Sequence, residues 1–130
     1  MKAKALVFSL FAVLIAVLSG CTTPVAIDPQ TGREQMARYT AGNFYAPIEA
    51  ESGAIFRAAI REMDNMGYFR TGEMHKDTYI AIYARAVGDE KVNVRITQVA
   101  PGQCELRIRV GKFGDLPESQ KIYAAIRDAL

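Results

Sequence analysis

The sequence is poor in the residues that build metal, redox and nucleophilic sites. Its 130 residues include one histidine, His75, and two cysteines, Cys21 and Cys104. A protein zinc site usually takes four ligands, mostly cysteine and histidine, so we expect neither a metal site nor a cofactor. The serines beyond residue 20 are Ser52 and Ser119, and neither lies in a G-x-S-x-G nucleophile elbow. The sequence therefore predicts no catalytic residue.

The N-terminus has the layout of an export signal. Two lysines precede an apolar run from Ala5 to Leu18. This run of about 14 residues fits a signal-peptide core of roughly 7 to 15 residues and falls short of the roughly 17 to 25 that a spanning helix needs. It ends in Leu18-Ser19-Gly20-Cys21, which resembles the lipobox of bacterial lipoproteins, where the cysteine is acylated and the leader is cut off ahead of it. We expect residues 1–20 to be a signal peptide and Cys21 to be the lipidated first residue of the mature protein.

Acylation of Cys21 predicts a permanent membrane anchor, because each buried methylene adds about 0.8 kcal/mol and two or three chains hold firmly. Thr22, not an acidic residue, follows Cys21. By analogy with enterobacterial sorting, a Gram-negative host would place the protein in the outer membrane, facing the periplasm. Cys104 then has no partner within the chain, so we expect no disulfide framework. The parity of Cys104 matches the apolar residues of its strand, which predicts a buried, inert thiol unless it pairs between chains.

Charge is balanced once the leader is removed. The whole chain has 16 basic and 14 acidic residues, and Lys2 and Lys4 lie in the leader, which leaves 14 of each sign in the mature protein. Nucleic-acid binding normally requires an excess of basic residues. No nucleic-acid partner is expected.

The mature chain has room for one domain. Residues 21–41 contain Pro24, Pro29 and Gly32 and show no helical or strand period, so we predict that they form a flexible tether behind the lipidated N-terminus. A coil of about 20 residues would span roughly 25 Å, enough to lift a small domain clear of the lipid headgroups. Residues 42–130 are predicted to form that domain.

Hydrophobic periodicity predicts two helices and four to five strands in the domain. Apolar residues step by three and four over 49–66 and over 116–130, as on one face of a helix. Strands are expected at 43–45, 68–73, 79–86, 92–97 and 105–110. Short connections require antiparallel pairing, and a sheet with one apolar face needs cover. We therefore expect an α+β fold, in which an antiparallel sheet of four to five strands carries two helices packed on one face.

The connection between the last two strands raises a question of register. Pro101-Gly102 fits a two-residue type II turn. Such a turn would pair Val94 with Arg109 and so place a core-facing residue opposite a solvent-facing one. A bulge or a longer loop is therefore expected at this connection.

The segment Arg109-Val110-Gly111-Lys112-Phe113-Gly114-Asp115 resembles the R-V-G-x-F-G-D signature of a family of small bacterial lipoproteins of unknown function. The resemblance extends over residues 44–130. It implies an exported, membrane-tethered α+β domain, and it transfers no activity and no catalytic residue. The residues also have a structural interpretation, in which Phe113 fills the core and Asp115 forms a capping box with Glu118.

Strand parity indicates one candidate binding surface. Arg95, Arg107 and Arg109 alternate with apolar residues and so share the outward face of the sheet, with Arg85 on a neighbouring strand. Guanidinium groups bind carboxylates and phosphates, so these arginines form a candidate anion-binding face. The alternative is a solvated face with salt bridges to acidic neighbours such as Glu105.

These observations predict a membrane-anchored envelope lipoprotein with a small, non-enzymatic interaction domain. Its expected partners are membrane lipid, through acylated Cys21, and an envelope protein or an anionic envelope component at the arginine face. Two alternatives stay open. One is a structural accessory subunit of a larger envelope complex, and the other is a periplasmic hydrolase that uses His75 and Asp77.

Overall fold

The computed structural model describes residues 23–25 and 37–130. These residues form seven strands and two helices, in the order β1 (Thr23–Val25), β2 (Ala37–Thr40), β3 (Asn43–Ile48), α1 (Ser52–Asn65), β4 (Phe69–His75), β5 (Tyr79–Arg85), β6 (Lys91–Ala100), β7 (Gln103–Val110) and α2 (Leu116–Asp128). The predicted leader and Cys21 lie outside the described residues. Neither helix in the described part of the chain is long and apolar enough to cross a membrane.

All seven strands belong to one antiparallel sheet, in the order β1-β2-β3-β7-β6-β5-β4. The chain passes from β3 through α1 to the far edge at β4 and then returns strand by strand to β7, beside β3. Helix α1 packs on β4, β5 and β6, helix α2 packs on β3 and β7, and the two helices contact each other. The predicted α+β class and the antiparallel sheet are confirmed, but the sheet is larger than the four to five strands expected.

The two additional strands come from the segment predicted to be a tether. Thr23–Val25 and Ala37–Thr40 pair with each other, and the second of them pairs with β3. They escaped sequence analysis because both are very short, and Pro24 argues against a strand except at a sheet edge, which is where β1 lies. The tether expected over residues 21–41 therefore does not hold at these two strands.

The core lies between the helices and one face of the sheet. One cross-strand row, Phe44–Ile108–Val94–Ile82, runs through four neighbouring strands in register, and each of its side chains is almost completely buried. From the helices, Ile55 and Ile122 are fully buried over this face. Strict alternation along the strands keeps the opposite face free for polar residues.

The predicted irregularity between β6 and β7 is confirmed. Ala100 pairs with Gln103 across the two-residue turn, and the register shifts between Gln98 and Ala100. This bulge restores the pairing of Val94 with Ile108, so that apolar residues meet on the core face.

Helix α1 ends at a glycine in the left-handed conformation. Gly67 has φ +84°, and the amides of Gly67 and Tyr68 donate to the carbonyls of Asp64 and Met63 at 3.0 Å each. This is a Schellman motif, in which a left-handed glycine satisfies the last free carbonyls of the helix. The helix then leads directly into β4.

Helix α2 begins at the predicted cap, because the Glu118 amide donates to Asp115 Oδ1 at 3.1 Å. The Glu118 carboxylate does not turn back to complete a capping box, since it accepts from the Tyr68 hydroxyl and pairs with Lys121. Burial and this carboxylate raise the pKa of Tyr68.

The prediction that Phe113 fills the core is wrong, because its side chain is 83% exposed. The backbone of this loop makes the close contacts instead, since Phe113 and Gly114 approach Gly42.

Candidate anion-binding surface

The sheet face opposite the helices carries a row of three arginines. The pairs Arg38–Tyr45, Tyr45–Arg107, Arg107–Arg95 and Arg95–Ala81 are consecutive in the register of β2, β3, β7, β6 and β5. We call Arg38, Tyr45, Arg107 and Arg95 the arginine row. Neither of the two described helices covers it, since both pack on the other face.

Arg95 is held in place by an aromatic ring. Its guanidinium carbon lies 4.3 Å from the centre of the Tyr79 ring. Such stacking restricts the long side chain and is worth about 0.5–1 kcal/mol at an exposed site. The Nε atom of Arg95 is buried and has no hydrogen-bond partner among the described residues.

Arg107 lies directly opposite Arg95 on the neighbouring strand, with no ion pair to the described residues. Two like charges placed opposite each other on neighbouring strands destabilise a sheet. The acidic residue nearest in sequence, Glu105, pairs instead with Arg38 at 3.6 Å. Among the described residues, no carboxylate therefore balances the positive charge of Arg95 and Arg107.

The other two predicted arginines have partners. Arg109 donates from Nη1 to the Ala41 carbonyl at 2.6 Å and from Nη2 to the Lys112 carbonyl. Arg85 pairs with Asp89 at 2.5 Å. Of the four arginines in the candidate face, the structure thus brings Arg95 and Arg107 together without an ion pair to the described residues, whereas Arg109 links two loops and Arg85 holds a hairpin.

A shallow depression of about 160 Å³ opens between the side chains of Arg95, Arg107 and Arg109. None of the described residues that line it is acidic; its polar lining is Asn43, Tyr83, Asn93, Arg95, Arg107 and Arg109. Amide, phenol and guanidinium groups can all donate hydrogen bonds. The depression therefore has the size and the donors for one carboxylate or phosphate group.

Sequence reasoning missed Arg38 and Tyr45 as members of this surface. Arg38 lies on a strand that was not predicted, and its guanidinium carbon is 4.3 Å from the centre of the Tyr45 ring. Tyr45 lies on the strand expected at 43–45, where alternation already places it outward, but Arg38 could be placed beside it only if β2 had been recognised. The pattern of four residues was too short to reveal it.

The residues considered for catalysis do not form a constellation. His75 Nε2 lies 3.3 Å from Glu73 Oε1 rather than pairing with Asp77, and its ring packs edge-on against Phe56 at 5.0 Å. The Ser119 hydroxyl donates to the Asp115 carbonyl at 2.7 Å, which makes it part of the start of α2. In the described ranges, no group of three or more His, Cys, Asp or Glu side chains could hold a metal ion.

Cys104 lies on the core face, as its parity predicts. Its side chain is 2% exposed, and Sγ lies 3.5 Å from the Ala50 carbonyl oxygen. Burial, with a smaller contribution from Glu51, raises the pKa of this thiol, so the reactive thiolate is disfavoured. Cys104 therefore behaves as a small apolar core residue.

Comparison with known proteins adds a family and no activity. The model of DUF3568, a protein family of unknown function, matches residues 4–129, a range that includes both Cys21 and the segment from Arg109 to Asp115. No curated protein matches the chain significantly. A match over nearly the whole length shows the family, and the chain belongs to DUF3568.

Proposed function

We propose that this protein is a membrane-anchored lipoprotein of the cell envelope, whose domain binds an anionic partner and catalyses no reaction. The observation that carries the binding role is the pair Arg95–Arg107, side by side on a sheet face that neither described helix covers, with no carboxylate of the described residues to balance it. The membrane role rests on Leu18-Ser19-Gly20-Cys21 after an apolar leader.

An anion between Arg95 and Arg107 would relieve their mutual repulsion. Arginine presents a planar set of donors that matches the two oxygens of a carboxylate or phosphate, and such charge-assisted hydrogen bonds are roughly twice as strong as neutral ones. Stacking on Tyr79 holds the Arg95 guanidinium in position before binding, which lowers the entropy cost of association.

The small volume of the depression limits it to one anionic group at a time. A partner that binds tightly must therefore extend over the rest of the face, where Tyr45 and Arg38 continue the row. An acidic segment of an envelope protein or a phosphate-bearing envelope polymer has this chemistry.

The first test measures binding of two probes, polyglutamate and inorganic polyphosphate, by titration calorimetry. Replacing both Arg95 and Arg107 by glutamine is expected to weaken binding of at least one probe about tenfold or more, since a charge-assisted hydrogen bond contributes about 1.5–3 kcal/mol. Arg107→Lys keeps the charge but loses the planar donor set. Its affinity for the probe should therefore fall between that of the wild type and that of the double variant.

The control for this test is the double variant Arg57→Gln with Lys76→Gln. Both residues are exposed and lie outside the arginine row, and the change in net charge is the same. Equal loss of binding in the control would mean that net charge, not this surface, attracts the probes. Unchanged binding after both arginine substitutions would refute the proposed site.

A second test concerns the anchor. Cells that express the protein and are fed an alkyne fatty acid should incorporate the label in wild type and in Cys104→Ala, and lose it completely in Cys21→Ala. Cys104 is the matched control because it is the other thiol of the chain. Label retained in Cys21→Ala, or absent from wild type, would contradict the lipoprotein role.

A further inference from the structure

Three large apolar side chains are exposed at one end of the sheet. Phe69 is 74% exposed, Val87 is 96% exposed and Phe113 is 83% exposed. Phe69 begins β4, Val87 lies in the loop between β5 and β6, and Phe113 lies in the loop between β7 and α2. We call this the loop end of the domain, defined by turn 41–42, loop 86–90, loop 111–115 and the start of β4.

The register of the sheet places these segments side by side. Phe69 pairs with Arg85, the last residue before loop 86–90, and the Gly111 amide donates to the Lys91 carbonyl at 2.7 Å just after that loop. Neighbouring strands are about 4.8 Å apart, so the three apolar side chains are spread over roughly 15–20 Å along the same end of the sheet. They are supplied by three separate segments that all lie at the same end of the strands.

The N-terminal strand of the described fold begins at the same end of the sheet, on the edge strand opposite to β4. Thr23, the first residue of β1, pairs with Tyr39, one residue from the end of β2 at turn 41–42. Two peptide units separate Thr23 from Cys21, so their Cα atoms are at most about 7.6 Å apart. A lipid on Cys21 is therefore attached close to the loop end, and not at the far end of a 20-residue tether.

We propose that the loop end rests on the phospholipid bilayer, with Phe69, Val87 and Phe113 inserted into its interface. This inference depends on the proposed acylation of Cys21. The anchor brings the loop end to the surface, and the three side chains set how the domain stands on it. The strands then run away from the membrane, and the arginine row faces sideways, where a partner in the envelope can reach it.

The apolar contacts are sufficient for orientation, although not for independent binding. Full burial of one such side chain changes a binding constant roughly ten- to a hundredfold, and insertion into an interface delivers part of that. A covalent anchor makes the contact intramolecular, so a modest preference decides the orientation. Charge contributes little, since Lys91 and Lys112 at this end are accompanied by Asp89 and Glu90.

Tryptophan fluorescence can test this orientation without interference, because the chain contains no tryptophan. Phe113→Trp and Val87→Trp place a reporter at the loop end, and Val99→Trp places one at the opposite end, beside turn 101–102, where Val99 is 63% exposed. Each full-length variant is purified from membranes and reconstituted into vesicles of phosphatidylethanolamine and phosphatidylglycerol with brominated acyl chains.

The loop-end reporters should emit at shorter wavelength than the Val99→Trp reporter and be quenched several-fold more strongly by the brominated chains. High salt should change the quenching little. Equal quenching at both ends, in protein whose N-terminal peptide is shown by mass spectrometry to carry lipid, would overturn the docking and leave the anchor standing.

Two other results would also overturn the proposal. A blue-shifted loop-end reporter that brominated chains do not quench would mean that a second copy of the chain, and not lipid, covers this end. A chain without lipid on Cys21 would remove both the proposed anchor and the docking that depends on it.

Discussion

Replacing Gly114 by alanine is expected to lower the free energy of unfolding by about 3–5 kcal/mol, a large part of the 5–15 kcal/mol that holds a typical domain together. Gly114 has φ +85°, and a Cβ atom there would overlap the Gly42 carbonyl oxygen. It would also lie 2.5 Å from Gly42 Cα and 2.6 Å from the Tyr39 hydroxyl oxygen. Backbone atoms cannot swing aside as the end of a side chain can, so turn 41–42 and loop 111–115 would have to separate.

Gly67→Ala is the matched control for this substitution. Gly67 has φ +84°, almost the same as Gly114, but a Cβ atom there has nothing within 4 Å. Its replacement should therefore cost only the strain of the left-handed conformation, about 1–2 kcal/mol. Urea unfolding followed by circular dichroism measures both. Equal losses in the two variants would show that the close approach of Gly114 to Gly42 contributes nothing.

The contact at Gly114 explains why the segment from Arg109 to Asp115 has its particular sequence. Arg109 donates to carbonyls on both sides of the junction, at Ala41 and Lys112. Gly114 allows the two backbones to meet, and Asp115 caps α2 immediately afterwards. Each of these residues has a structural task, so the segment holds the loop end together without requiring a ligand.

The layers of this fold could be predicted from sequence because their signal is periodic. Alternation over β6 and β7 gave the correct parity for Val94 and Ile108, and that parity in turn required the bulge that the structure contains. The strands β1 and β2 carried no comparable signal, since three or four residues cannot establish a period. They are held by pairing with neighbours, which is information that the local sequence does not contain.

Phe113 shows the same limit for a single side chain. An aromatic residue between two glycines was expected in the core, but its surroundings are set by the distant turn at Gly42, whose backbone occupies the space beside the loop. The prediction of the arginine face was incomplete for the same reason. Parity placed Arg95, Arg107 and Arg109 on one face, and only the fold shows that Arg109 is engaged by the carbonyl of Ala41.

The substitution Phe44→Ala is expected to cost about 3–5 kcal/mol, as truncation of a fully buried phenylalanine typically does. Phe44 is completely buried in the central row of the core, and its ring packs edge-on against Tyr123 at 5.8 Å between centroids. Tyr123 in turn donates to the Pro47 carbonyl at 2.7 Å, which ties α2 to β3. The cavity left by Phe44 would therefore loosen both the sheet and the helix above it.

The same chemical change at Phe113 serves as the control, because it removes the same ring from an exposed position. Phe113→Ala should change the free energy of unfolding by less than about 0.5 kcal/mol, because its ring is already in solvent. A loss of several kcal/mol at Phe113 in the purified, lipid-free state would mean that its ring does fill the core. A small loss there, together with a large one at Phe44, would show that Phe113 has no role in stability and that its exposed ring is available for the proposed membrane contact.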